Sequence, residues 1–162
     1  MQKISPSLWF DMNAEEAMEY YVSVFPNSKI LSKNYYPDES LNENFKGMSG
    51  KILNGTFELD GQKFTCLDGG PVFTFSEAIS FTIDCENQEE VDYYWKALSH
   101  VPEAEQCGWC KDKFGISWQI VPKQLGEVMT GSDKEGVKRA TTAMMAMHKL
   151  NVAELEAAYR GN

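Results

Sequence analysis

Four groups of residues have types that could do chemistry: Cys66 with Asp68, the run Cys107-Gly108-Trp109-Cys110, Gln119, and the two histidines, His100 and His148. A thiol near a carboxylate suits nucleophilic attack when a cation or imidazole stabilises the thiolate. No histidine falls at a spacing that places it beside Cys66, so a buried, inert cysteine competes with the nucleophile. The C-x-x-C run could bind zinc or cycle as a redox pair, but no second pair or histidine follows at zinc-finger distance. A strand through Trp109 would also send its two sulfurs to opposite faces. A divalent ion needs three or four converging donors, and neither histidine falls on a strand facing a cleft, so no metal site is expected. No G-x-G-x-x-G or Gly-Lys-Ser/Thr occurs, and Gly69-Gly70 leads into Pro71 rather than a helix; no cofactor is expected. Trp9, Cys66, Asp68, Trp109 and Gln119 remain as candidate ligand-binding residues. Asp68 and Gln119 would be polar anchors, and the tryptophans, with Phe64, Phe73 and Phe75, apolar walls that could equally be core.

The elements that must position these residues come in duplicate. Leu8-Trp9-Phe10-Asp11, Asn13-Ala14-Glu15-Glu16 and Tyr20-Tyr21 reappear as Phe81-Thr82-Ile83-Asp84, Asn87-Gln88-Glu89-Glu90 and Tyr93-Tyr94. Each copy reads as a strand, a turn, an Asn cap and an amphipathic helix, so the chain is one pseudo-symmetric domain over 1–162 with halves of about 1–70 and 71–122. In the first half, a strand over 4–10 precedes a helix over 14–25, then strands over 29–36, 50–59 and 62–68. The last two are joined by the hairpin signal Asp60-Gly61, and 37–49 is a polar loop. In the second, strand 78–84 precedes a helix over 88–99 and strands near 104–111 and 115–121. Beyond Pro122 a helical tail, 123–162, carries capping boxes Ser132/Glu135 and Asn151/Glu154, predicting helices over 133–148 and 152–159. Its stripe Val137, Ala140, Thr141, Met144, Met147 and Leu150 packs on a sheet or dimer mate, or forms a lid.

Strand alternation divides the side chains between faces. Leu8 and Phe10 oppose Ser5, Ser7 and Trp9; Phe64, Cys66 and Asp68 oppose Thr65 and Leu67. Ile79, Phe81 and Ile83 oppose Ala78, Ser80 and Thr82; Ile116, Trp118 and Ile120 oppose Ser117, Gln119 and Val121. The more apolar face belongs under a helix. The other, mixing small polar groups with an aromatic, suits a ligand or a self-filled interior.

A net charge of −9 and a pI near 4.7 disfavour binding to duplex nucleic acid or an anionic membrane surface. No apolar leader or bilayer-length stretch is visible, so a cytoplasmic location with four reduced cysteines is expected.

With these residues in view, the chain resembles the PhnB-like family of the vicinal oxygen chelate (glyoxalase/bleomycin-resistance) superfamily. The resemblance rests on the first repeat, on Glu77-Ala78-Ile79-Ser80-Phe81, on Glu89-Glu90-Val91-Asp92-Tyr93-Tyr94-Trp95, on Gln106-Cys107-Gly108-Trp109, and above all on Asp112-Lys113-Phe114-Gly115-Ile116-Ser117-Trp118-Gln119-Ile120-Val121-Pro122. It implies an α+β fold in which two βαβββ modules form an open barrel around a cavity, commonly in a homodimer, here with C-terminal helices added. Metal-dependent relatives place His, Gln or Glu where this chain has Ser5, Cys66, Ala78 and Gln119, so the metal-free, ligand-sequestering branch is the closer analogy. The expected function is therefore metal-free binding of an unidentified small molecule by a homodimer. The alternatives are an enzyme and a ligand-free structural dimer. The enzyme would be a methyltransferase, as the family's common name 3-demethylubiquinone-9 3-methyltransferase implies, or a metal-independent isomerase or lyase.

Overall fold

A computed structural model describes residues 2–162. The chain forms two compact units, residues 2–74 and 75–162. In the first, β1 (Ser7–Phe10) leads into α1 (Ala14–Val24), followed by β2 (Lys29–Tyr35), β3 (Ile52–Leu59) and β4 (Gln62–Asp68), a βαβββ module. The strand order is β1-β4-β3-β2, with β1 and β4 parallel and the others antiparallel. Ala14, Ala17, Met18, Tyr21 and Val24 recur at helical spacing and bury one face of α1. Beneath them Tyr21 stacks on Phe57 at 6.4 Å, and Phe57 on Phe64 at 5.4 Å. The expected hairpin forms, with Asp60 and Gly61 both at positive φ. The loop before β3 holds two short 3-10 turns, Glu39–Leu41 and Glu43–Phe45.

The second unit repeats the plan with one strand fewer. It contains β5 (Ser80–Cys85), α2 (Gln88–Leu98), β6 (Trp109–Lys111) and β7 (Ser117–Pro122), in the order β5-β7-β6 with β5 and β7 parallel. It is therefore βαββ, and the second βαβββ module is corrected in that detail. The strand expected over 104–111 shrinks to three residues. Pro102–Ala104 forms a 3-10 turn, and Cys107-Gly108, at φ 37° and 89°, is a tight reversal. The chain folds as α+β with two small sheets and no closed barrel among the described residues.

The tail contributes α3 (Lys123–Met129), α4 (Lys134–Met145) and α5 (Val152–Arg160). Asn151 caps α5 through Glu154 N–H, as its box predicts. At α4 the cap is Asp133, which accepts from Glu135 N–H, rather than Ser132. Helix α4 ends three residues before the expected 148, which leaves the Met147 and His148 carbonyls free to accept from Cys107 and Gly108 N–H at 2.7 and 2.8 Å. Of the apolar stripe, Ala140 and Leu150 are fully buried within this unit and Val137, Thr141, Met144 and Met147 are half-buried, while Met145, off the stripe, is exposed.

Candidate functional site

In the first unit, β1 and β4 run in register with Leu8 beside Cys66, Trp9 beside Leu67 and Phe10 beside Asp68. Phe64, Cys66 and Asp68 are buried on the face under α1, whereas Trp9, Thr65 and Leu67 lie on the other face. Asp68 is only 1 % exposed, and its carboxylate is fully used by the fold: Oδ1 accepts from Ala14 N–H and Oδ2 from Ile52 N–H, each at 2.9 Å. It caps α1 in place of Asn13, whose side chain makes no cap bond. Burial, with Asp68 nearby, pushes the Cys66 thiol up to about 12, the opposite of what a nucleophile needs.

Trp9 is held on the opposite face. Its Nε1–H donates to Gly70 O at 2.9 Å, and Phe73 meets its ring edge-on at 4.9 Å. A Cβ at position 69 would stand 2.0 Å from the indole, so only glycine admits this ring. The three candidates of this unit therefore divide between two faces, Trp9 on one and Cys66 with Asp68 on the other. Asp68 also borders a hollow of about 340 Å³ with Met12, Asn13, Glu15, Glu16, Glu19, Gly50 and Lys51. Two of its carboxylates, Glu15 and Glu19, already bind Lys33 at 2.7 and 2.8 Å, so the hollow is knitted together by the fold's own ion pairs.

In the second unit, Trp109 and Gln119 are direct cross-strand partners, and Thr82 flanks Gln119 on the other side. All three point away from the face that Trp118, Ile120 and Cys110 bury. Gln119 Nε2 donates to Ser80 Oγ at 2.8 Å, which fixes the amide's orientation. One register step along, Ser117 lies between Ser80 and Lys111 on the same face. Ser117 is 2 % exposed, and its hydroxyl has no hydrogen-bond partner. Lys111 is ion-paired with Glu77. Sequence reasoning placed Ser80 and Ser117 on Gln119's face by alternation but missed them as site residues. It missed Lys111 and Glu77 too, because their pairing spans 34 residues and leaves no local pattern.

The turn that delivers Trp109 is clamped. Gly108 O accepts from Ile120 N–H at 2.8 Å, and a Cβ on Gly108 would lie 2.9 Å from Leu150 Cδ1. Gly108 at φ 89° with that neighbour explains the glycine inside C-x-x-C. All four cysteines are free thiols. Burial, then Asp112 and Glu105, pushes Cys110 up to about 12. Asp112, itself buried, accepts from Phe114 and Ile116 N–H and from Trp118 Nε1–H at 2.8, 3.1 and 2.8 Å.

The residues at the superfamily's ligand positions do not suit a divalent ion. Cys66 faces α1 with burial holding its thiol pKa up, Ser5 and Ala78 bring no imidazole or carboxylate, and Gln119, its Nε2 donating to Ser80, offers a single amide oxygen. The histidines do not add to this set: His100 is exposed and meets β6 through its backbone, its N–H donating to Lys111 O at 2.9 Å, and His148 Nδ1 lies 3.4 Å from Glu105. No group of three or more His, Cys, Asp or Glu converges among the described residues.

The 3-demethylubiquinone-9 3-methyltransferase family profile matches residues 2–121, and the helical tail lies beyond it. Among solved structures, a PhnB protein from Bacillus cereus is 37% identical with a TM-score of 0.62; the match covers 75% of this chain and 99% of that one. A Pseudomonas aeruginosa protein is 16% identical with a TM-score of 0.58, over 75% of this chain and 98% of its own, a likeness of fold. No curated protein sequence matches the chain. With three quarters of its length matched and its first module built as βαβββ, the chain belongs to the 3-demethylubiquinone-9 3-methyltransferase family, in its PhnB-like group.

Proposed function

We propose that the protein binds a small organic molecule on the open face of its second sheet, without a protein-held divalent ion. The observation that carries this reading is the Trp109–Gln119 pair: an aromatic wall beside an amide oriented by Ser80, on the face turned away from the core. Trp9, with its indole fixed by Gly70, serves a similar apolar role on the open face of the first sheet. Cys66 and Asp68 lie on the reverse of the first sheet, under α1. A thermal-shift and calorimetric screen of small organic compounds tests the idea. Hits should weaken at least tenfold in Trp109→Ala and Gln119→Ala, roughly the loss expected when a hydrogen bond and its packing are removed. Hits indifferent to both substitutions would overturn the site. Micromolar binding of a divalent metal that disappears in Gln119→Ala would overturn the metal-free part.

Methyl transfer, which the family's name describes, finds little support here. The β1–α1 and β5–α2 turns, Asp11-Met12-Asn13 and Glu86-Asn87, lack the glycines that let a backbone approach a nucleotide-like cofactor. S-adenosylmethionine at millimolar concentration should give no calorimetric signal. The proposal extends to a cytoplasmic homodimer. Four unpaired thiols suit a reducing compartment, and exposed Val72 and Phe73 suit an interface. Light scattering should give twice the 18.3 kDa chain mass.

A further inference from the structure

The same face holds groups that the Trp109–Gln119 reading leaves unused. The Ser117 hydroxyl is buried and unpartnered, an arrangement that costs free energy unless something accepts its proton or donates to its oxygen. Its cross-strand neighbour on β6 is Lys111 and its neighbour on β5 is Ser80, so Ser117 starts within about 5.5 Å of each at Cβ and stands between them, the outer two being about 10 Å apart. Lys111 is largely covered, its side chain 23 % exposed, yet its partner Glu77 is 60 % exposed and belongs to the segment preceding β5. A half-buried ammonium is thus neutralised by a carboxylate that can swing into water at little cost, because exposed ion pairs are weak.

Resting on the binding reading above, we infer that the ligand carries an anionic oxygen group, such as a carboxylate, which replaces Glu77 on Lys111 and accepts from Ser117 Oγ–H, while its apolar body lies against Trp109. The Glu77 carboxylate holds the place of the ligand's anion in the free protein. Exchange of one carboxylate for another leaves the local charge balance unchanged, so binding does not strand a buried cation. The chain's net charge of −9 works against anion capture at long range, and the covered Lys111 overcomes this only at contact.

The experiment uses the full chain and matched pairs of aromatic carboxylates and their carboxamides, with benzoate and benzamide as the first pair. Binding is followed through the Trp109 indole N–H resonance and by calorimetry. Carboxylates should bind at least tenfold more tightly than their amides, and Ser117→Ala should weaken them about ten- to a hundredfold, as loss of a charge-assisted hydrogen bond does. Glu77→Gln, an exposed and conservative change, should tighten carboxylates and leave amides unaffected; Lys111→Met should remove the preference for the anion. Amides binding as well as carboxylates, or Glu77→Gln leaving carboxylate affinity unchanged, overturns the anionic assignment while the binding face stands. If neither series moves the Trp109 resonance at millimolar concentration, the anionic assignment and the face reading fail together.

Discussion

Two buried aspartates do for each unit what no pattern of neighbours reveals. Asp68 ties the first turn of α1 to the start of β3, and replacing it with Ala leaves two enclosed amide donors without partners. Asp68→Ala should cost about 3 kcal/mol or more in urea unfolding, and Asp68→Asn, which keeps one acceptor, roughly half of that. A loss below about 1 kcal/mol in the Ala variant would contradict this role. The residue was visible in the sequence as a polar anchor. Its task was not, because its partners lie 54 and 16 residues away. The thiols make a second case. Burial raises Cys66, Cys85 and Cys110 from 9.0 to about 12, so the folded state resists their ionisation. Groups whose pKa rises on folding stabilise below the unfolded value, and that stability drains away as pH climbs from about 9 towards about 12. Unfolding free energy should therefore fall across that alkaline window. Alkylation near neutral pH should mark half-buried Cys107 first, and mass spectrometry after brief iodoacetamide treatment locates the label. Faster labelling of Cys66 would refute its burial.

At the level of elements, similar stretches of sequence give different structures. Asn13 and Asn87 open the two repeats in the same way, yet only Asn87 caps its helix, accepting from Glu90 N–H at 3.0 Å. Asp68 occupies the first cap. The corresponding strand position in the second unit, Ile120, has no acceptor to offer, so the local asparagine serves there. Asn87→Ala should lose about 1 kcal/mol in thermal unfolding and Asn13→Ala a few tenths at most. Equal losses would show that both caps operate. Helices α1, α2 and α5, the 60–61 hairpin and the face assignments were legible because periodicity and turn chemistry are local. Strand β6 was not. Cys107 and Gly108 read as strand residues, and only their docking against Met147, His148 and Leu150, some 40 residues on, bends them into a turn. Gly108→Ala should loosen this clamp and raise amide exchange at both 107–108 and 147–150.

For the whole molecule, charge and cooperativity are the properties to measure. A chain with a net charge of −9 should show no retardation of duplex DNA even in low salt, where phosphate binding is strongest. No helix among the described residues is long and apolar enough to cross a membrane. The proposed single domain over 1–162 contains two compact units, each with its own core. As one domain the chain should unfold in a single transition, with tryptophan fluorescence and far-ultraviolet dichroism superimposing; two resolved steps would make the units independent.

The parallel pairing of first and last strands has a consequence for how such a chain could arise. Because β4 runs the same way as β1, each module is entered at one edge of its sheet's length and departed from the opposite one. A gene copied head-to-tail therefore yields modules joined end to start by a single connection, here residues 69–79.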